Sequence, residues 1–517
     1  MNNGKNFSRR DFLKLLSLTP AALLAEPILK SSSAQANINS PYNIIVLVFD
    51  AWSGNHLAMN GYPRMTMPNV EKFAERAIVY HNHFSAGSFT VPGTASLLTG
   101  LYPWTHRAFL LGAGIAPAHI KHQLFAEFHP DHSTVGYAQN KYADQFLGQA
   151  YEDLDTHIRN GRFNLQDNLL YSNPIFNKDG LIAFNSFDNN IFQLGQSYTG
   201  SLFLGSLYRL VALRERMGSV NQFEDDYPRG LPDNTEYFLL NEVVDGAIEA
   251  LSKLKSPSFA YFHFYPPHDP YRPTREFFNK FLNDEWQPLP KPVHPISLLS
   301  PGRIVSKPES RLEQNYYDQY LLSWDNEVGR LFNFLDESGL LDKSYVIITA
   351  DHGEMHERGM TGHMTKMLFD SLMRIPLIIS RPGQKERVDI RTNTNSVDIL
   401  STLAHLAGKP TPPWTEGTLI PGLGGMDDPN RPIYTLDAKQ NSAFAPLTEY
   451  SVSMTKGPYR LTRYSYSIYN AYEFYDIAND PNELQNLYPS NPAIALQMQA
   501  ELLEKIDEVN KPYLKKV

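Results

Sequence analysis

The sequence predicts an α/β fold in which helices cover both faces of a large mixed sheet, with a smaller C-terminal α+β part. Three observations predict it. Two runs, Asn43-Ile44-Ile45-Val46-Leu47-Val48-Phe49-Asp50 and Tyr345-Val346-Ile347-Ile348-Thr349-Ala350-Asp351-His352-Gly353, are largely apolar up to a terminal carboxylate. Such strands are buried on both faces, as in sheets flanked by helices. Helical periodicity fills the intervals between the strand candidates. A chain of 517 residues with 42% hydrophobic side chains can bury a large core.

The elements follow in order. Ser8-Arg9-Arg10-Asp11-Phe12-Leu13-Lys14 precedes a mainly apolar stretch from Leu15 to Ala25, too short to span a bilayer, and Ala34-Gln35-Ala36 offers a small-x-small cleavage pattern. Residues 1–36 resemble a twin-arginine export signal, which implies the export machinery as a partner and a periplasmic or extracellular destination. A basic amphipathic N-terminal helix is the alternative. Residues 42–410 form the main domain. After the first strand come a helix over Val70–Arg76 and a loop running into a short helix from about Thr90. Residues 150–235, rich in Phe, Tyr, Asn and Gly, interrupt the alternation as an insertion; Phe184, Phe187, Phe192 and Tyr198 are its candidates for shaping a pocket. A helix over Tyr237–Leu254, a strand over Phe259–Tyr265, a proline-rich surface loop at 286–309 and a helix over Arg311–Leu335 lead to the second carboxylate strand. Pro376–Ser380 is a further strand. Residues 411–517 read as a Pro/Gly-rich linker, short strands and a terminal helix near Ala493–Val509.

Composition excludes several classes of function. With 46 basic against 55 acidic residues the net charge is −9, without the basic face that nucleic-acid phosphates require. No cysteine means no disulfides, no thiolate metal site and no cysteine nucleophile. No transmembrane helix is expected in the mature chain.

In open α/β sheets, ligands sit beyond the carboxyl ends of the strands. Asp50, Asp351 and His352 fall there, and two carboxylates with an imidazole suit one divalent cation such as Mn, Zn, Mg or Ca. Thr90, at the start of Thr90-Val91-Pro92-Gly93-Thr94-Ala95-Ser96-Leu97-Leu98-Thr99-Gly100, could ligate that cation and attack an ester, with helix N–H groups facing the anion. A plain helix cap is the competing reading of Thr90.

These motifs and their order resemble the sulfatase family of the alkaline phosphatase superfamily. The nucleophile helix appears as Thr94-Ala95-Ser96-Leu97-Leu98-Thr99-Gly100-Leu101-Tyr102-Pro103, after Met67-Pro68-Asn69. Gly136-Tyr137 and Asn140-Lys141, Pro267-His268-Asp269-Pro270-Tyr271, Gly362-His363 and Arg374-Ile375-Pro376 follow in sequence. Val397-Asp398-Ile399 with Leu406-Ala407-Gly408, then Phe474-Tyr475-Asp476-Ile477, Asp480-Pro481-Asn482-Glu483 and Asn486-Leu487, complete the series. The resemblance covers nearly all of 42–490 except the insertion. It implies an alkaline-phosphatase-like α/β/α sandwich and hydrolysis or transfer of phosphoric or sulfuric esters.

The departures are informative. The family's formylglycine motif, C/S-x-P-x-R, stands here as Thr90-Val91-Pro92-Gly93-Thr94, and threonine oxidation would yield a ketone instead of an aldehyde. Ser88 lies two residues too early, Thr94 replaces the motif arginine, and Ala51 stands where the family has a second metal aspartate. Within the superfamily, threonine nucleophiles belong to phosphodiesterases and phospho-transferases. The resemblance therefore implies Thr90 as nucleophile and metal ligand beside Asp50, Asp351 and His352. It implies His268, Lys141 and His363 as anion-binding or proton-transferring groups, with Lys366 a further cation. Lys141 and Lys366 could instead be surface lysines, and His263 reads as a satisfied core residue. The expected substrate is a small-molecule, glycan or lipid ester, with phosphate favoured over sulfate. A sulfatase acting without formylglycine and a catalytically silent binding protein are the other readings.

Overall fold

The computed structural model describes residues 42–165, 222–234, 236–299 and 303–514. The expected export signal, most of the insertion and its four named aromatics lie outside the described residues.

Eight strands build the main sheet: β1 (Asn43–Phe49), β2 (Ile78–Tyr80), β3 (Ser133–Ala138), β4 (Thr156–Ile158), β5 (Ser258–Phe264), β6 (Ser344–Thr349), β7 (Leu377–Ser380) and β8 (Val388–Ile390). Their order is β8-β2-β7-β6-β1-β5-β3-β4. β1 pairs in parallel with β5 and β6, and β3 in parallel with β5 and β4. β7 runs antiparallel to both its neighbours, which makes the sheet mixed. The central position of β1 explains its composition, since every residue of it is buried.

Side chains of β1 alternate between two cores. Ile45, Leu47 and Phe49 pack with α1 (Pro68–Ala74), α4 (Leu240–Leu251) and α5 (Lys307–Glu337). Ile44, Val46 and Val48 pack with α2 (Thr90–Thr99), α3 (Lys141–Gln149) and α6 (Asp398–Leu406). Helices therefore cover both faces of the sheet, as the period-two alternation of a doubly covered strand requires.

The expected helices and strands are present, with ends shifted by a few residues. One segment differs from expectation. The 286–309 stretch is not wholly a surface loop: His294, Ile296 and Ser297 are buried, and α5 starts inside it at Lys307. The reason is local. Ser306 and Glu309 form a capping box, reciprocally satisfying two backbone N–H groups, so the helix begins four residues before its apolar periodicity does.

The C-terminal part is a four-stranded antiparallel meander, β9 (Ile433–Asp437), β10 (Tyr450–Lys456), β11 (Tyr459–Tyr466) and β12 (Tyr469–Asp476), against α7 (Ala493–Asn510). Val452, Met454, Leu461 and Phe474 share a core with Met498, Leu502 and Ile506 of α7. The strands run five to eight residues, longer than expected. β9 docks on the segment that leads to α2: Leu436 N–H donates to the Ala86 carbonyl and the Thr435 hydroxyl to that of Ser85.

Candidate active site

Parallel pairing brings four strand ends to one edge of the sheet. Val48 lies opposite both His263 and Thr349, and His263 opposite Ala138. Asp50, the His263 side chain, the Asp351-His352 pair and Asn140 consequently emerge together, where α/β sheets hold ligands. The first turn of α2 adds Thr90, whose Oγ1 lies 3.3 Å from His352 Nε2.

Around Asp50 the contacts are close. His352 Nε2 is 3.3 Å from Asp50 Oδ1 and 3.6 Å from Asp351 Oδ2. Asn140 Nδ2 donates to Asp50 Oδ2 at 2.6 Å and to Thr90 Oγ1 at 3.4 Å. His352 Nδ1 faces the Gly353 carbonyl at 2.8 Å. A carbonyl only accepts, so Nδ1 carries a hydrogen, and in the neutral ring the Nε2 lone pair points into the cluster.

Asp50, Asp351 and His352 can each place one ligand atom within 4.8 Å of the others. Asp50 Oδ1 and Asp351 Oδ2 are buried and, among the described residues, have no hydrogen-bond partner. Buried carboxylate oxygens without partners are costly unless something of opposite charge lies against them. Oxygen, oxygen and imidazole nitrogen with an adjacent hydroxyl are a donor set that fits a divalent cation.

The electrostatics of the pair are divided. Burial opposes ionisation of Asp50, yet the charge of His268 and the adjacent His263 and His352 imidazoles hold its pKa well below the ordinary carboxylate range. Burial and the neighbouring Asp50 charge push Asp351 upward. Burial disfavours the imidazolium of His352, but Asp351 and Asp50 outweigh it and raise the pKa to about 8. His268 is raised to about 10, with burial again overcome, here by Asp269 and Asp50.

Thr90 is not the helix cap. Phe89 occupies the cap position without a side-chain bond, and Thr90 is the first helical residue, its hydroxyl turned to His352 and Asn140. His263 is buried with both ring nitrogens partnered, as expected of a satisfied core residue, Nδ1 with the Tyr261 hydroxyl at 3.0 Å and Nε2 with Asp50 Oδ2 at 3.3 Å. The second partner, with Asp351 Oδ2 at 3.7 Å, sets it against the cluster. Its place near the end of β5, in register with Val48, turns an apparent core position toward the cluster. The signal in the sequence was a polar side chain close to the carboxyl end of an otherwise apolar strand.

The His363 ring lies tilted 4.5 Å from that of His352 and edge-on 4.7 Å from that of His268. With Asp269 these two histidines form a second possible ligand group. Burial lowers the His363 pKa despite Glu354, whose carboxylate lies 3.2 Å from His363 Nδ1. Lys141 starts α3, with its ammonium 3.3 Å from Glu236. Lys366 is buried, donates to Gln440 Oε1 at 3.1 Å and lies over the Tyr466 ring. Neither is a solvated surface lysine. Ser88 donates to Asp437 at 2.7 Å, so its hydroxyl belongs to the link with β9.

Asn140 is the site residue that sequence reasoning did not single out. An asparagine just ahead of a helix signals a cap, and Asn140 Oδ1 does accept the Tyr142 N–H at 2.9 Å. The same amide's Nδ2 reaches Asp50, a contact visible only once β3 and β1 are placed. Ala51 follows Asp50 in the left-handed region (φ 59°), held by Asp351 Oδ1 at its N–H and by the Tyr317 hydroxyl at its carbonyl.

Comparison with known proteins agrees with this architecture. The family model Sulfatase matches residues 42–409, and that of the N-sulphoglucosamine sulphohydrolase C-terminal region matches 359–512. The chain is 25% identical to a choline-sulfatase of Rhizobium meliloti (strain 1021), over 86% of this chain and 82% of that protein. It is 23% identical to the multifunctional alkaline phosphatase superfamily protein PehA of Trinickia caryophylli, over 88% and 92%. The phosphonate monoester hydrolase of Agrobacterium radiobacter has the same fold, with TM-score 0.65, 18% identity, and 92% and 96% of the two chains covered. A family model spanning most of the chain, carried on the mixed sheet characteristic of the alkaline phosphatase superfamily, makes this protein a member of the sulfatase family and a hydrolase of that kind.

Proposed function

We propose that the protein is an exported, metal-dependent ester hydrolase or transferase in which Thr90 is the nucleophile and a phosphate mono- or diester the preferred substrate. The observation that carries this reading is the Thr90 hydroxyl itself, 3.3 Å from His352 Nε2 and within reach of the Asn140 amide, where a formylglycine precursor is absent. Asp50, Asp351, His352 and Thr90 would hold one divalent cation. When bound, the cation supplies charge that lowers the hydroxyl pKa and neutralises a substrate oxygen.

The chain's own groups do the remaining work. Thr90 loses its proton to water, and Oγ1 attacks phosphorus in line as the ester P–O bond breaks. His268 hands a proton to the departing alkoxide. Asn140 orients the hydroxyl, while Lys141, Lys366 and His363 add positive charge or protons near the anion. Water, or an acceptor alcohol in a transferase, then cleaves the phosphothreonine and restores Thr90.

A second reading, a sulfuric ester hydrolase working without formylglycine, is favoured by the similarity to a choline-sulfatase over most of both chains. A silent binding protein is disfavoured by the two buried, unpartnered carboxylate oxygens, which would have no use. Residues 1–36 would direct export, 42–410 form the catalytic domain and 411–517 the C-terminal subdomain. Lysines in place of Arg9 and Arg10 should keep the precursor in the cytoplasm.

The deciding experiment assays purified protein against aryl phosphate mono- and diesters and aryl sulfates with added Mn, Mg, Zn or Ca, beside Thr90→Ala and Thr90→Ser. Thr90→Ala should lose orders of magnitude in kcat while remaining folded, and Thr90→Ser should keep substantial activity. A folded Thr90→Ala enzyme with near-normal turnover would remove Thr90 from the mechanism.

A further inference from the structure

The backbone turn that follows Asp50 is held in a conformation that its residues do not favour. Ala51 sits at φ 59°, in the left-handed region, where the Cβ of an L-residue crowds the following carbonyl. Glycine takes this conformation freely, and the chain has an alanine there. Such a residue persists only where its surroundings over-determine it.

Three hydrogen bonds do so. The Tyr317 hydroxyl donates to the Ala51 carbonyl at 2.7 Å and accepts the Ser53 N–H at 3.0 Å. The Ala51 N–H donates to Asp351 Oδ1 at 3.3 Å. One phenol thus closes the turn from 51 to 53, using its single hydrogen and a lone pair. The phenol itself has little freedom. Tyr317 is fully buried in α5, its ring 4.9 Å from that of His56 and 5.2 Å from those of Tyr271 and His356. The next residue, Asp318, accepts the Tyr62 hydroxyl at 2.6 Å and lies 2.6 Å from His56 Nδ1, so the same stretch of α5 grips the loop further along.

The turn sets both carboxylates. The Asp50 N–H donates to the Phe264 carbonyl at 3.0 Å, and the chain passes directly from there into Ala51. Asp351 Oδ1 accepts from Ala51 and, at 2.9 Å, from the His352 N–H, which leaves Oδ2 on the side of His352 and His263. Position 51 offers no ligating side chain; its backbone N–H orients a candidate ligand instead.

We infer that Tyr317 is a positioning residue of the candidate cation centre, holding Ala51 in the left-handed turn that brings the Asp50 and Asp351 carboxylates together. The inference rests on the cation site of the proposed function, but neither on Thr90 nor on the ester cleaved. Tyr317 is no ligand and acts through the turn.

Calorimetric titration of the chelator-stripped, full mature chain with Mn, Zn, Mg and Ca in turn tests it. The unaltered protein should take one equivalent of at least one of them. Tyr317→Phe should weaken that binding by about 10–100-fold, whatever it does to the melting temperature of the metal-free protein. Tyr320→Phe removes a buried hydroxyl three residues further along α5 that has no partner among the described residues, and it should leave the affinity unchanged. Ala51→Gly should change little by itself. Added to Tyr317→Phe, it should recover about tenfold, because glycine holds the turn without the tie. Full affinity in Tyr317→Phe, an equal loss in Tyr320→Phe, or a loss that Ala51→Gly does not recover would each make Tyr317 an ordinary core residue. An unaltered protein that takes up none of the four cations would remove the centre itself, and the role of Tyr317 with it.

Discussion

Gly93, one turn into α2, lies directly against Asp351: a Cβ at position 93 would fall 2.2 Å from the Asp351 carbonyl oxygen. The helix bearing Thr90 and the strand end bearing Asp351 and His352 thus meet backbone to backbone at Gly93, and Ser85 donates to the same carbonyl at 2.5 Å. Only glycine permits that approach.

Gly93→Ala should therefore move α2 away from the Asp351 turn. The overpacking should lower stability by about 1–3 kcal/mol, and turnover should fall further than stability does, because the Thr90 hydroxyl leaves its position. Urea unfolding and kcat on the best ester found in the screen check both. Near-normal values of each would show that the contact does not set the site.

Asn140 has two separable duties, a helix cap through Oδ1 and a hydrogen bond to Asp50 and Thr90 through Nδ2. Asn140→Ala should cost about 1 kcal/mol of stability through the lost cap. It should also lower activity or metal affinity by about 10–100-fold, the usual effect of removing a partner of a ligand. Asn140→Asp keeps the cap and so should retain stability, but it places a carboxylate beside Asp50 and should lose activity. Equal activity in Asn140→Asp and the unaltered protein would leave only the cap.

Chelation should remove the cation and abolish turnover, and the buried Asp50 and Asp351 carboxylates would then face each other uncompensated. A fall in melting temperature on chelation, restored by one equivalent of metal, is the expected result. Asp351→Asn should bind metal more weakly yet suffer less from chelation, since one of the two buried charges is gone. Elemental analysis of purified protein without bound metal, together with chelator-resistant turnover, would count against the centre.

His106 supplies a pH prediction remote from that centre. Burial, then the charge of His119, lowers its pKa to about 3. Its Nδ1 accepts the Ala108 N–H at 3.0 Å, which only an unprotonated nitrogen can do. The folded value lies below the unfolded one, near 6.5, so the stabilisation is full above about pH 6.5 and is lost as pH falls toward 3. Each pH unit within that window should cost about 1.4 kcal/mol from this residue. Urea unfolding at pH 7 and pH 5 should show the decline, to which the buried His83 and His356 also contribute, and His106→Gln should make it shallower. Identical slopes in the two proteins would remove His106 as its source.

The sequence by itself determined the order of the elements, the mixed α/β class and three of the groups now found together. Asp50, Asp351 and His352 were legible because each follows an apolar run, and the parallel pairing of such strands puts their carboxyl ends on one edge. Thr90 was legible through its motif, but its setting was not: whether a hydroxyl caps a helix or faces a histidine depends on one residue of helix phase. His263 and Asn140 were decided by tertiary structure alone. Strand periodicity marks which face a residue takes but not what stands opposite it, and register opposite Val48 made His263 part of the cluster. Asn140 carries an ordinary helix-start signal, and only the neighbouring β1 gives its second amide group a carboxylate to bind.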